Sequence, residues 1–281
     1  MPRAIDVMHM GRDRVICAYE SDGVIVDPGP ATSLGALEGV EPRAILLTHI
    51  HLDHAGGTGA LVRRHPDARV YVHEVGAPHV IDPGRLLKSA ERLYGDMMER
   101  LWGEVVPVPE ENVVALSGGE TVEGFRVAYT PGHARHHVSY LHEESGSAFT
   151  GDVAGVRIPP AEHTIVPTPP PEIDVEAWLR SIDVVEEWRP ERLCLTHFGP
   201  VEEVGAQLDR AREALRRQLE WAEEGPEEFG SRYGESVRAG MDEDEAVRLQ
   251  QAAPAEQLYL GLERYLRKRA EAAAGAEEAA A

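Results

Sequence analysis

Residues 48 to 57 read T-H-I-H-L-D-H-A-G-G, which places His49, His51, Asp53 and His54 within six positions. Neutral imidazole and carboxylate are common protein ligands of zinc and related divalent ions, and a loop can fan alternate side chains towards two neighbouring metal positions. A lone histidine in a polar turn would carry no such implication. Here the density of donors, followed by Gly56 and Gly57 that let backbone crowd the site, points to a metal-binding loop. Three further candidates end apolar runs: His133 in T-P-G-H, Asp152 in F-T-G-D and His197 in L-T-H-F-G.

Such residues need a scaffold to hold them. Apolar runs at 5–10, 15–19, 24–26 and 44–47, separated by turn residues, predict short strands. Helical spacing over 57–64 and a return to strand at 69–72 put the histidines on a loop at a strand's end, where the backbone is fixed and side chains are free of core packing. Between Pro83 and Trp102, Leu86, Leu87, Ala90, Leu93, Met97, Met98 and Leu101 recur at helical intervals, predicting an inserted helix or helix pair with a weak point at Gly95. Strands are expected at 113–116, 122–129, 138–141 and 148–150. Pro159, Pro160, Pro167, Pro169, Pro170 and Pro171 then impose an extended loop, either a pocket rim or a plain connector. A helix over 175–188 leads to a strand at 193–195, and His197 follows. Beyond Pro200 the composition turns to helix formers broken near Gly225, Pro226 and Pro254, predicting three helices. The reading is a catalytic core over 1–200 with a helical insertion at about 84–102, a helical extension over 201–271, and a low-complexity tail over 272–281 with little to bury.

Composition excludes several classes. The net charge of −21 would repel a polyanion, so nucleic acid is not expected as a partner. No apolar run approaches the roughly 20 residues that span a bilayer, and Asp6 interrupts the position of a secretory signal's apolar stretch, so cytoplasmic residence is the expectation. Cys17 and Cys194 are the only cysteines and sit in strand-like apolar contexts, which leaves no disulfide framework and no cysteine-rich zinc site.

In combination, Asp27 in V-D-P-G, the His49 to His54 run, His133, Asp152 and His197 match in order the motifs of the metallo-β-lactamase-fold superfamily, over roughly residues 5 to 200. The chain resembles its glyoxalase II-like branch. That resemblance implies an α/β fold, a four-layered αβ/βα sandwich with metals at the edge between two sheets, here with a C-terminal helical extension. It implies that His49, His51 and His133 hold a first metal, Asp53, His54 and His197 a second, and that Asp152 bridges them. Asp27 would support the His-rich loop, its alternative being a turn residue before proline. His137, four residues beyond His133, would be structural, and neither it nor His136 is read as a ligand. His9, His65, His73, His79, His142 and His163 lack ligand-like context, and only His163, on the proline-rich loop, is placed to reach a pocket.

The implied function is a dinuclear metal-dependent hydrolase acting on an ester, thioester or lactone bond of a small molecule. Two divalent ions, zinc first with manganese or iron also compatible, would share a bridging hydroxide as nucleophile, while Asp53 and Asp152 serve catalysis. The complete ligand set argues against a noncatalytic metal-binding protein and against a mononuclear-iron persulfide dioxygenase-like oxygenase, but both stay open as alternatives, together with a phosphodiesterase. Arg264, Tyr265, Arg267 and Lys268 do not form the basic, Asn-Pro-containing motif of glutathione thioesterases, and no tyrosine follows Asp152 as acyl-homoserine lactonases would suggest. Leu86, Leu93, Met97, Trp102 and Ile158 could wall an apolar pocket, but helical spacing favours the insertion's own core or a homodimer contact. Leu258, Tyr259, Leu262 and Leu266 form a stripe expected to pack.

Overall fold

The computed structural model describes residues 1–280, and the side chains of residues 1–275. The first sheet runs in spatial order β1 (Arg3–Asp6), β2 (Cys17–Ser21), β3 (Val24–Val26), β4 (Ala44–Leu46), β5 (Arg69–His73) and β6 (Val113–Leu116). The first three strands pair antiparallel, and β3 to β6 pair parallel. Parallel neighbours need crossovers that cover a face of the sheet. These are α1 (Leu52–Ala55) and α2 (Thr58–Arg64) after β4, then α3 (Ala77–Ile81), α4 (Gly84–Tyr94) and α5 (Met98–Trp102) after β5. Strand side chains alternate accordingly. Ile25, Ile45 and Val70 join Leu61, Val62 and Val80 in the helix-side core, whereas Val24, Val26, Ala44 and Leu46 turn towards the second sheet.

The second sheet begins with β7 (Thr121–Val122), β8 (Phe125–Tyr129), β9 (Val138–His142) and β10 (Ser147–Gly151). A small hairpin of β11 (Val156–Arg157) and β12 (Thr164–Ile165) follows, then α6 (Val175–Glu187), β13 (Arg192–Leu195) and β14 (Gly199–Val201). Its spatial order is β14-β13-β10-β9-β8-β7, with β10 and β13 parallel across the α6 crossover. Tyr19, Val26 and Leu46 meet Phe125, Tyr140 and Phe149 between the sheets, and both cysteines are buried there. The outer face of the second sheet is covered by α6 together with α7 (Val204–Glu223), α8 (Pro226–Gly240), α9 (Glu243–Ala252) and α10 (Ala255–Ala280). The order of layers is helix, sheet, sheet, helix, the expected four-layered sandwich with helices at its C-terminal end.

Several expectations need correction. The single strand read over 122–129 is split into β7 and β8 by a turn at Glu123 and Gly124, whose φ angles of 54° and 85° lie in the left-handed region. Among the described residues four helices, not three, follow residue 200. The extra break precedes Asp242, whose carboxylate accepts from Glu245 N at 2.8 Å while the Glu245 carboxylate accepts from Asp242 N at 2.9 Å, a reciprocal cap that starts α9. Helix α10 continues into the stretch read as tail, though the side chains of 276–281 and residue 281 itself lie outside the described residues. Ile158 is fully buried in the core under the C-terminal helices and walls no pocket. His163 packs against Gly240 of α8 and pairs with Ser236 Oγ at 3.2 Å, so it serves a helix contact. Leu258 and Leu262 are buried and Tyr259 and Leu266 half-buried in that same core, as their spacing predicts. Among the described residues no helix is long and apolar enough to cross a membrane.

Candidate metal centre

Strand β4 delivers the His-rich loop. Leu47 N donates to Tyr71 O at 2.9 Å and Val138 N to Thr48 O at 2.8 Å, so both sheets grip the chain just before His49. His133 comes from the β8–β9 connection, Asp152 from the end of β10 and His197 from the end of β13. All seven predicted residues converge at one edge of the sandwich. Donor atoms of His49, His51, His133 and Asp152 lie within 4.8 Å of one another, and those of Asp53, His54 and His197 form a second such group.

Asp152 joins the groups. Its Oδ2 lies 3.1 Å from His133 Nε2 and 3.9 Å from His49 Nε2, while Oδ1 lies 3.3 Å from His54 Nε2 and 3.7 Å from His197 Nε2. His49 Nε2, His54 Nε2 and Asp152 Oδ1 are buried and have no hydrogen-bond partner. Orphaned donors and acceptors are rare in protein interiors, and a convergent set of imidazole and carboxylate atoms suits a divalent metal. The residues present therefore fit such ions.

The imidazoles are held from behind. His54 Nδ1 pairs with Asp27 Oδ2 at 2.9 Å, His133 Nδ1 with Pro167 O at 2.8 Å, His197 Nδ1 with Val15 O at 2.7 Å, and His49 Nδ1 with Thr48 Oγ1 at 3.1 Å. An outer acceptor fixes the proton on Nδ1 and leaves the Nε2 lone pair facing inwards. His51 is oriented the other way, with Nδ1 2.8 Å from His133 Nε2. Asp27, wholly buried, also accepts from Thr48 N at 2.8 Å, Thr48 Oγ1 at 2.7 Å and Thr196 Oγ1 at 3.1 Å, so one carboxylate ties together the His49 loop, His54 and the His197 loop. This support role prevails over the turn reading.

His136 and His137 stand outside both groups. His137 Nδ1 pairs with Thr130 Oγ1 at 3.0 Å, and its Nε2 accepts from Asp152 N at 3.4 Å, propping the turn that presents Asp152. A Cβ on Gly151 would lie 2.6 Å from Thr48 Oγ1 and 2.7 Å from His137 Nε2, which explains glycine there. Burial drives His49 and His133 below the ordinary histidine value, and His51 to about 3, keeping them neutral. Burial opposes charge on His54 as well, but Asp152, Asp53 and Asp27 outweigh it and raise His54; Asp53 and Asp152 likewise raise His197. For Asp53 and Asp152 burial is outweighed chiefly by His54, so both carboxyls are held low.

Asp53, with 23% of its side chain exposed, and half-buried His51 form the open side of the centre. His9, to which sequence motifs assign nothing, is buried close by with its ring stacked on Trp102.

A family model described as metallo-beta-lactamase superfamily matches residues 15–197, which contain every residue of the centre. The chain belongs to the metallo-beta-lactamase superfamily. Within it, the metallo-beta-lactamase fold-containing protein ST1585 of Sulfurisphaera tokodaii is 31% identical over 195 residues, 66% of this chain and 72% of that protein. The crystal structure of ST1585, recorded from Sulfolobus tokodaii, superposes with a TM-score of 0.64 at 28% identity, over 78% of this chain and 86% of that one. A hydroxyacylglutathione hydrolase of Synechococcus sp. is 36% identical over 135 residues, 46% of this metallo-beta-lactamase superfamily chain but only 42% of the relative's own length. TTHA1623, solved in a di-iron-bound form, superposes at a TM-score of 0.52 with 29% identity, over 68% of this chain and 91% of that chain.

Proposed function

We propose that the chain is a dinuclear metal-dependent hydrolase that cleaves an ester, thioester or lactone bond of a small molecule. The observation that carries this reading is Asp152, whose two carboxylate oxygens face two separate groups of metal-type donors. His49, His51 and His133 would hold one ion, Asp53, His54 and His197 the other, with Asp152 shared. Two divalent ions held there would supply hydroxide near neutral pH and polarise a substrate carbonyl. Asp27, Pro167 O and Val15 O pair with the outer nitrogens of His54, His133 and His197 and so direct each Nε2 inwards, and His54 and His197, whose pKa values the neighbouring carboxylates raise, would release their inner protons as the ions bind. Asp53, on the open side with Oδ2 3.3 Å from His197 Nε2 and its carboxyl held deprotonated, would take up the proton of the attacking hydroxide and pass it to the departing oxygen or sulfur.

Zinc is the proposed metal, with manganese or iron as the other candidates; a di-iron-bound relative supports keeping iron among them. The hydrolase name of the Synechococcus relative supports hydrolysis as the reaction class. The deciding experiment is a panel of esters, thioesters, lactones and phosphodiesters offered to the zinc, manganese and iron forms, alongside Asp152→Ala. Hydrolysis of a carboxylic ester, thioester or lactone, lost together with bound metal in Asp152→Ala, is expected. Full activity of metal-free Asp152→Ala, or oxygen consumption by a one-iron form in place of hydrolysis, would overturn the reading.

A further inference from the structure

On the Asp53 side of the centre, His9, Tyr94 and Trp102 form a cluster of rings that the metal ligands do not use. The His9 and Trp102 rings stack 5.5 Å apart at an interplanar angle of 5°, and Tyr94 meets Trp102 edge-on at 5.1 Å. His9 lies in the turn that follows β1, whereas Tyr94 ends α4 and Trp102 ends α5. Both segments border the centre. Val15, later in the loop that carries His9, accepts from His197 Nδ1. Leu101 O accepts from Thr32 Oγ1 at 2.8 Å, just beyond the turn where Gly29 N donates to His54 O at 3.0 Å. The Asp53 charge reaches two of the rings: after burial, it adds to the rise of the Tyr94 phenol and opposes the lowering of His9.

Two atoms of the cluster lack partners. His9 Nδ1 and Trp102 Nε1 are buried without a hydrogen bond, in residues only 3% and 6% exposed. Indole N–H is a donor only, so the group that satisfies it must offer an acceptor. The insertion that carries Tyr94 and Trp102 is only partly buried. No residue of α4 is fully buried, and Gly95 and Gly103, at φ 48° and 69°, bound its second half. Met8 and Met10, which flank His9, and Met97, between Tyr94 and Trp102, are 48%, 38% and 40% exposed. Methionine is flexible and polarisable and adapts to varied apolar ligands.

We propose that His9, Tyr94 and Trp102 form the subsite for the organic portion of the substrate, an uncharged apolar group carrying a hydrogen-bond acceptor, where the insertion of residues 84–102 meets the 7–15 loop. This rests on the hydrolytic reading for the identity of the occupant as substrate, but binding itself requires no turnover. The stacked rings supply apolar contact, and the two free nitrogens supply direction. Groups that carry a ring and a neutral carbonyl satisfy both.

The test uses metal-loaded protein and N-benzylacetamide, an uncharged stable amide, with N-ethylacetamide as the ring-free control; binding is followed by saturation-transfer NMR. N-benzylacetamide is expected to bind with transfer strongest at its ring, and at least about tenfold more tightly than the control. Trp102→Phe and His9→Phe each keep a ring and remove the nitrogen, and each should weaken binding about fivefold or more. Equal affinity of both variants and wild type, equal affinity of the two amides, or no binding would overturn the proposal. Should one variant fail to fold, the other decides; in unaltered protein, a His9 Cε1–H resonance that does not move on addition of N-benzylacetamide also overturns it. A protein that binds in the expected pattern yet hydrolyses no member of the panel keeps the subsite and loses the hydrolytic reading.

Discussion

Replacing Asp27 with Asn perturbs the support beneath the metal centre with almost no change of shape. The native carboxylate accepts four hydrogen bonds: from Thr48 N at 2.8 Å, Thr48 Oγ1 at 2.7 Å, His54 Nδ1 at 2.9 Å and Thr196 Oγ1 at 3.1 Å. An amide has one acceptor oxygen. With that oxygen in the Oδ2 position, the amide NH2 confronts the Thr48 N–H and one charge-assisted bond is lost. With it in the Oδ1 position, the NH2 confronts His54 Nδ1, and His54 must give up its Nδ1 proton and keep one on Nε2, the atom facing Asp152. Hydrogen bonds to charged groups are worth about 1.5–3 kcal/mol against about 0.5–1.5 kcal/mol for neutral ones, so losing one and weakening the others costs about 2–4 kcal/mol. That cost divides between stability and metal affinity, and affinity should fall about 10- to 100-fold. Backbone strain does not confuse the result, since Asp27 sits at φ 48° and Asn tolerates that region. Competition against a chromophoric chelator measures the affinity, and thermal unfolding of metal-free protein measures the remainder. An Asp27→Asn protein with wild-type metal affinity and wild-type stability would refute the claim that this carboxylate orients the site.

Gly132→Ala should destabilise the fold by about 3 kcal/mol or more in a denaturant titration, because φ is 135° and a new Cβ would lie 2.3–2.4 Å from Trp178 backbone and Cβ atoms. Burial pushes the Cys17 thiol up to about 12 and Cys194 higher still, so both stay protonated at pH 8; a disulfide reagent should find neither in the native state and both in denaturant. Arg248 grips Asp13 Oδ1 at 2.5 and 2.9 Å, and Arg248→Ala should weaken metal binding at the His197 group several-fold by loosening the 7–15 loop, at a stability cost of about 1 kcal/mol or less, seen as a shift in chelator competition.

The candidate donors are legible because they stand densely at the ends of apolar runs: His49, Asp152 and His197 each follow a strand that the sequence shows. The cap that separates α8 from α9 escapes a reading that takes only Gly and Pro as helix breaks, although Asp242 and Glu245 have capping-box spacing. What else escaped reading depends on distant contacts. His9 and Trp102 are stacked although far apart in sequence, and Arg248 lies 235 positions from Asp13, so no local period links either pair. Nothing local to Ile158 shows what it packs on; the β11–β12 hairpin beside it folds under α7, where buried Gln218 accepts from Val166 N at 2.8 Å and donates to Val166 O at 2.9 Å.

The same distant contacts give the C-terminal helices a role in building the centre. His197 and His133 depend for orientation on two backbone carbonyls, Val15 O and Pro167 O, and neither carbonyl belongs to a helix or strand. A carbonyl on a loose loop would orient an imidazole poorly, because the loop's conformational freedom would have to be lost whenever the geometry formed. Helix α9 holds the first loop: Arg248 grips Asp13, Gln251 Nε2 donates to His9 O at 3.1 Å, and Arg12 Nη1 donates to Gln251 Oε1 at 2.6 Å. Helix α10 holds the second. Thr168 Oγ1 donates to Leu258 O at 2.9 Å, and Arg264 Nε to Pro171 O at 3.1 Å. A Cβ on Gly261 would come within 1.9 Å of Thr168 O, so only glycine lets the helix approach this closely. Each of these two histidines thus takes its orientation from a loop pinned by a helix outside the matched family region, and the helical extension is part of what fixes the donors in space.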